Sequence, residues 1–373
     1  MTKNVILITI DGARLDRVKK SNIFNKHKSV FFSQCVTYGP HTIAAMHAIF
    51  SGSYGTRTGT NSYWSTYKFK KDQFQVLTKY LKENGYFTLA DVHSEIVIPK
   101  QGFDEFVIYE QDKNLIQRHL QLLKKMKERE NYNNQKFFLY LHYDKIHASI
   151  TDTVLKKYTN FSKEYFENRV ENEKYYDKLF HDAEFYVDQV LTKIEELGFL
   201  KNSIIIIISD HGVSIGEKFG ERAYGAFCYD YTLTTFCYFL GDEFRGKEIS
   251  QQVRTVDFMP TILDYLQIPL NKKFNALDGE SLRPLIEGYH LKEKIAYSET
   301  GNPLIEKEPP KIPNIKSVRT SKWKLIYKVY DNSNELYNLE TDPCETINLA
   351  GTGLEIENIL WNELQKLQTT DTT

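Results

Sequence analysis

Asp210 and His211 stand directly after the apolar run Ile204 to Ile208, within Ser209-Asp210-His211-Gly212. An acid and an imidazole are thereby set at the carboxyl end of a buried strand, where open α/β sheets keep their chemistry. A second run, Val5-Ile6-Leu7-Ile8-Thr9-Ile10, ends the same way in Asp11-Gly12-Ala13-Arg14. Both runs have the unbroken hydrophobicity of central parallel strands, so each delivers a carboxylate to one sheet edge. Two strand-end carboxylates and a histidine suggest a metal.

Chemistry at such an edge needs a nucleophile, and the candidate is Thr42 in Tyr38-Gly39-Pro40-His41-Thr42-Ile43-Ala44-Ala45-Met46-His47, a turn leading into a helix. A helix start offers free backbone N–H groups to an anion. A threonine hydroxyl is a weak nucleophile at neutral pH unless a base or metal lowers its pKa, so Thr42 makes sense in that role only beside the carboxylates. Taken alone, a threonine here also reads as a helix N-cap.

The elements that position these residues are legible in outline. Strands near Thr88 to Val92 and at Phe137 to His142 join the two already named, and helical stretches separate them. That alternation predicts an α/β fold, a mostly parallel central sheet with helices on both faces. Asp112 to Tyr132 is amphipathic. Glu164 to Leu197 places Tyr175, Leu179, Ala183, Tyr186, Val187, Val190 and Ile194 at helical spacing, and these apolar side chains are expected to face the core. From about residue 270 the texture turns loop-rich, followed by a strand at Trp323 to Val329 and a final helix at Leu354 to Leu367. The expected division is a catalytic domain over 1–270 and a small C-terminal α+β subdomain over 271–373.

The 373 residues carry a formal net charge of -1 from interspersed acids and bases, which leaves no footprint for nucleic acid or an anionic membrane. Cys35, Cys228, Cys237 and Cys344 lie far apart without metal or disulfide spacing and read as reduced, mostly buried thiols. The first apolar run is too short for a membrane span or a signal peptide, and the expected location is cytoplasmic.

In its ordered motifs the chain resembles the alkaline phosphatase superfamily, in particular its sulfatase-like branch. The resemblance covers nearly the whole chain: Ile8 to Asp16; Thr42 with its helix into Phe50-Ser51-Gly52-Ser53-Tyr54-Gly55-Thr56-Arg57; Ser209-Asp210-His211-Gly212; Val256 to Leu263; Leu277-Asp278-Gly279-Glu280-Ser281-Leu282; and Glu335-Leu336-Tyr337-Asn338-Leu339 with Asp342-Pro343. It implies one divalent ion, held by Asp11, Asp210, His211 and the oxygen of Thr42, and in-line attack of that oxygen on phosphorus or sulfur. Oxygen-rich ligands with one imidazole suit Mn, Zn, Mg or Ca.

Departures from the family choose among its branches. The Cys/Ser-x-Pro-x-Arg signature that sulfatases oxidise to formylglycine is replaced by Thr42-Ile43-Ala44-Ala45-Met46, and Gly12 stands where sulfatases usually have a second acid. Both changes resemble members that use an unmodified threonine on phosphoryl groups. In Leu141-His142-Tyr143-Asp144-Lys145-Ile146-His147, the resemblance places His147 on the transferred group or on its leaving oxygen, with Asp144 among the substrate contacts. A capping role for His147 at the strand end stays open, as does a second-ion role for this segment. Arg14 is expected either to hold a phosphate oxygen, as a catalytic residue, or to brace Asp16. Arg222 stands in for the lysine that sulfatase relatives carry on the sulfate, while His41 and His47 are secondary candidates.

The reading is thus a metal-dependent hydrolase of phosphate esters (phosphodiester, phosphomonoester or phosphonate ester) acting through a phosphothreonine at Thr42, on a small-molecule, glycan or lipid substrate. The alternatives are a sulfatase without formylglycine, a phosphoryl transferase, and an inactive binding protein for phosphorylated ligands.

Overall fold

A computed structural model describes residues 3–24, 26–110, 114–155, 163–221, 223–302 and 310–369. Among them, β1 (Asn4–Ile10), β2 (Ser29–Val36), β3 (Phe87–Val92), β4 (Glu105–Ile108), β5 (Phe137–Tyr143), β6 (Ser203–Ile208), β7 (Thr234–Leu240), β8 (Lys247–Ile249) and β9 (Val253–Arg254) form one sheet. Its order is β4-β3-β5-β1-β6-β7-β2-β8, with β9 also beside β2. Every residue of β1, β5 and β6 is buried. That is why their sequences run apolar without alternation, since both faces of a parallel sheet are covered.

The two faces sort by residue parity. Ile6, Ile8, Leu139, Leu141, Ile205 and Ile207 pack against the helices Leu115–Asn133 and Arg169–Glu196. Val5, Leu7, Phe138, Ile204 and Ile206 pack against Thr42–Ser51, Leu77–Glu83 and Phe258–Tyr265. Burying each such side chain stabilises by about 1.5–3 kcal/mol.

Register sets the site. Ile10 pairs with Tyr143, and Thr9 with both His142 and Ile208, so Asp11, Asp144 and Ser209 follow at one edge. Asp91 pairs with Leu141, which brings the end of β3 there too.

The sheet is mostly parallel, but β7 runs antiparallel to both β6 and β2. The predicted long helix is interrupted at Asn168, giving Lys163–Glu167 and Arg169–Glu196. There the Asn168 side-chain amide donates to the Glu164 carbonyl at 2.8 Å and competes with the helical backbone. The helix expected from Asp112 starts at Leu115, capped by Asn114, and residues 111–113 lie outside the described ones.

A second sheet, β10 (Ala296–Thr300), β11 (Ile315–Arg319), β12 (Trp323–Lys328) and β13 (Ser333–Asn338), is an antiparallel meander. The helix Glu355–Thr369 covers it through Leu360 and Leu364. Its strand β10 reaches the turn before Thr42: the Glu299 N–H donates to the Tyr38 carbonyl at 3.0 Å, and Ser298 Oγ to the Thr37 carbonyl at 2.6 Å. All four cysteines are free, three of them buried. No helix among the described residues is long and apolar enough to cross a membrane.

Candidate active site

Asp11 is fully buried just past β1, with its backbone N–H on the Tyr143 carbonyl at 3.0 Å. Its carboxylate collects four side chains. Oδ2 accepts from Thr42 Oγ1 and from His142 Nε2, each at 3.1 Å; Oδ1 lies 3.1 Å from His147 Nδ1 and 3.5 Å from His211 Nε2. Burial would raise the Asp11 pKa, but the charge of His147 and hydrogen bonds from His142 and His147 outweigh it and hold it well below the usual range. Against its own burial, His147 is raised to about 9 by Asp11 beside it.

Thr42 opens the helix Thr42–Ser51, and His41 takes the N-cap, its side chain accepting from the Ala44 N–H. The capping role that Thr42 could have filled thus falls to its neighbour, and the Thr42 hydroxyl points at Asp11 Oδ2 and, at 3.3 Å, at His211 Nε2.

His211 Nδ1 lies 2.8 Å from the Gly212 carbonyl, which can only accept, so Nδ1 carries a proton. In the neutral ring Nε2 is then a bare lone pair, and it faces Asp11 Oδ1 and Asp210 Oδ2, both at 3.5 Å. Asp210 Oδ2 is buried without a hydrogen-bond partner, and burial together with the Asp11 charge pushes the Asp210 pKa up. A buried carboxylate oxygen without a hydrogen-bond partner, facing a ring lone pair and close to a second carboxylate, is what a divalent cation satisfies, so the donor set fits the ion that the motifs imply. Ligand atoms of Asp11, His147 and His211 all lie within 4.8 Å of one another, which adds His147 to the candidate ligands.

Gly12 has φ +78°, and a Cβ there would stand 3.1 Å from Val213 Cγ2. A side chain at this position, including a second acid next to Asp11, would strain the backbone. The Gly12 N–H instead donates to Asp210 Oδ1 at 3.3 Å, linking the two strand ends.

The other expected residues sort differently. Arg14 braces: Nε and Nη2 hold the two oxygens of Asp16 at 3.0 Å, and Nη1 holds the Val213 carbonyl and Glu217, both at 2.6 Å. Its guanidinium is thereby committed to loop residues, the bracing alternative rather than the catalytic one. Asp144 is buried, and its Oδ1 accepts from Tyr109 Oη at 3.1 Å. Tyr109 Oη also donates to the His142 carbonyl at 2.7 Å, so one oxygen of Asp144 is tied to the support of β5, while its Oδ2 is buried without a hydrogen-bond partner. His47 packs edge-on to Phe69. Arg222 lies outside the described residues.

Three further residues join the site. His142 clamps Asp11 and is itself backed by Tyr140 Oη, 2.9 Å from its Nδ1. His93, just past β3, places its ring 5.1 Å from that of His142 and 6.1 Å from that of His147, and burial with repulsion from His142 lowers its pKa to about 3. A histidine directly after a strand was the available signal for His93, and one at a strand's last residues for His142. Tyr224 Oη lies 3.0 Å from His147 Nε2.

The Sulfatase family model matches residues 3–268, and one described as "N-sulphoglucosamine sulphohydrolase, C-terminal" matches 234–370. The chain is 25% identical over 187 residues to an arylsulfatase of Clostridium perfringens, covering 48% of this chain and 35% of that protein. It is 28% identical over 177 residues to a Delta 4,5-hexuronate-2-O-sulfatase of Bacteroides thetaiotaomicron, covering 44% and 34%. The chain thus spans about a third of the length of these curated relatives. Among solved structures, a protein in complex with its substrate D-glucosamine-2-N,6-O-disulfate superposes with TM-score 0.76 at 17% identity over 99% of this chain and 98% of that one. A phosphonate monoester hydrolase of Agrobacterium radiobacter superposes with TM-score 0.74 at 13% identity over 98% and 94%. With the match over residues 3–268 taking in Asp11, Thr42, His147, Asp210 and His211, this chain belongs to the sulfatase family, within the alkaline phosphatase superfamily.

Proposed function

We propose that this chain hydrolyses phosphate or phosphonate esters, with Thr42 Oγ1 as the attacking atom and a phosphothreonine as the covalent intermediate. The observation that carries this is the placement of Thr42 Oγ1 at a helix start, 3.1 Å from Asp11 Oδ2 and 3.3 Å from His211 Nε2. Asp11, Asp210 and His211, with Thr42 Oγ1 beside them, would hold one divalent ion, and His147, hydrogen-bonded to Asp11 Oδ1, would stand outside that ligand set. When bound, the ion would lower the pKa of the hydroxyl and neutralise charge on the transferred group.

The residues supply the rest. Asp11 Oδ2 already accepts the hydrogen bond from Thr42 Oγ1, leaving the lone pairs of Oγ1 for attack, and would take the hydroxyl proton as Oγ1 attacks. An Oγ1–P bond forms as the bond from phosphorus to the leaving oxygen breaks, and that oxygen takes a proton. His147, kept charged at neutral pH by Asp11, is the donor on this reading. Water then cleaves the phosphothreonine; an alcohol taking its place would make the same intermediate a transferase's. The substrate is taken to be a small-molecule, glycan or lipid ester.

Phosphorus is favoured over sulfur because a threonine cannot give an aldehyde on oxidation, its Cβ carrying a methyl group. The names of the curated relatives favour a second reading, sulfate-ester hydrolysis by the unmodified hydroxyl. A panel of p-nitrophenyl phosphate, bis-phosphate, phenylphosphonate and sulfate, run with Mn2+-loaded protein and with Thr42→Ala, separates the two. Phosphorus-ester turnover lost in the variant, with a phosphorylated Thr42 peptide in mass spectrometry, supports the first; preferential sulfate turnover replaces it with the second. No turnover by the wild type with any metal would favour a binding protein. The four free cysteines are in keeping with a cytoplasmic location, and recovery of the native protein from another compartment would overturn it.

A further inference from the structure

Tyr224 belongs to no element of regular structure, yet its place is tightly fixed. On one side the Ala223 carbonyl accepts from the Ser214 N–H at 2.5 Å. On the other, Gly225 has φ +86° and its carbonyl accepts from Thr300 Oγ1 of the second sheet. Three residues upstream, buried Glu221 accepts from Tyr231 Oη and from the Phe227 N–H. A loop pinned at these points is preorganised, as a segment that presents a functional side chain must be.

What it presents is a phenol over the site. The Tyr224 ring lies 4.9 Å from the His211 ring and 5.0 Å from the His147 ring, tilted by 35° and 37°. Tyr224 is half-buried above a fully buried His211, whose Nε2 is 3.3 Å from Thr42 Oγ1. Its Oη is 3.0 Å from His147 Nε2 and 3.4 Å from Thr151 Oγ1. A phenolic oxygen can accept one hydrogen bond while donating another.

We propose that Tyr224 is a substrate-contacting residue, whose hydroxyl donates to a peripheral oxygen of the group that Thr42 attacks while its ring shields Thr42 and His211 from water. This rests on the reading of Thr42 given above. The site would then bind a tetrahedral oxyanion through a neutral donor as well as through charge.

The test compares Mn2+-loaded wild type with Tyr224→Phe, which keeps the ring and removes the hydroxyl. Calorimetry reads the affinity for inorganic phosphate and, separately, for Mn2+. The expected result is phosphate affinity lower by about tenfold to a hundredfold, the worth of one hydrogen bond to a charged oxygen, with Mn2+ affinity unchanged. The same loss is expected in kcat/KM for whichever ester the wild type turns over. Unchanged phosphate affinity overturns the proposal. So does a parallel loss of Mn2+ affinity, which would mean that the hydroxyl only orients His147. A wild type that binds phosphate but turns over no ester removes the hydrolase reading and leaves Tyr224 tested by the titration alone. A wild type that binds no phosphate removes both.

Discussion

Replacing Glu221 by Gln probes the anchor of the loop that carries Tyr224. Glu221 is fully buried, and burial pushes its pKa up to about 8, with Glu217 adding repulsion against the hydrogen bonds from Tyr231 and Phe227. The folded protein therefore holds a proton on this carboxyl that the unfolded chain, titrating near 4.5, has already released. In that interval the native state binds more protons than the unfolded state, so stability falls as pH rises, by about 1.4 kcal/mol per pH unit. Below pH 4.5 the group contributes no slope, and above pH 8 the full cost of about 5 kcal/mol is present. Glu221→Gln stays neutral throughout. Urea unfolding of both proteins at pH 5, 7 and 9 should show the variant gaining on the wild type by about 3–5 kcal/mol between the first and last points, with equal m-values. Other buried acids, Asp144 and Glu299 among them, tilt both curves alike and cancel in the difference. Parallel curves would refute the reasoning, because they would mean that Glu221 is ionised, or solvated, in the folded state at pH 7.

Thr42→Ala should lower kcat/KM by about a thousandfold or more, while Thr42→Ser keeps a hydroxyl and most of the rate; steady-state kinetics decide. Asp210→Asn removes a candidate ligand and a buried like charge together, so calorimetry should show Mn2+ affinity lower by at least about tenfold, and thermal unfolding of the metal-free protein a higher midpoint. Gly12→Ala forces a Cβ into a left-handed backbone 3.1 Å from Val213 Cγ2, and denaturant unfolding should show a loss of about 1–3 kcal/mol.

What was legible in the sequence follows from what each element buries. β1 and β6 are buried on both faces, so their residues are apolar in unbroken runs and their ends are sharp; Asp11, Asp210 and His211 were found because they stand at those ends. β2 and β7 mix serine, glutamine, cysteine and threonine with aromatic residues, and β9 is two residues long, so none of them carries a comparable signal. His142 and His93 become site residues through register alone: Thr9 beside His142 and Asp91 beside Leu141 bring the ends of β5 and β3 to Asp11 across 131 and 82 residues of chain. Tyr224 was visible only as a loop residue, because its placement depends on Glu221, Ser214 and Thr300, which no local pattern links to it.

The second sheet is part of the active site's support, and that changes how the chain's two halves should be weighed. Tyr38 Oη donates to buried Glu299 of β10, while the same carboxylate accepts from Tyr297 Oη at 2.7 Å and the Glu299 N–H holds the Tyr38 carbonyl. Tyr38 is the first residue of the turn that presents Thr42, and its Oη also accepts from the Thr56 N–H at 2.9 Å, beyond the helix. The turn before Thr42 is therefore clamped from the C-terminal side, Tyr38 ties it to the chain beyond Thr42–Ser51, and Thr300 of the same strand holds Gly225 after Tyr224. A sheet that fixes both the turn before Thr42 and the loop across from it lets neither move without breaking hydrogen bonds, each worth about 1 kcal/mol and more to a charged partner. Its role is to keep Thr42 and Tyr224 in a constant relation to Asp11, which the parallel sheet alone holds from below.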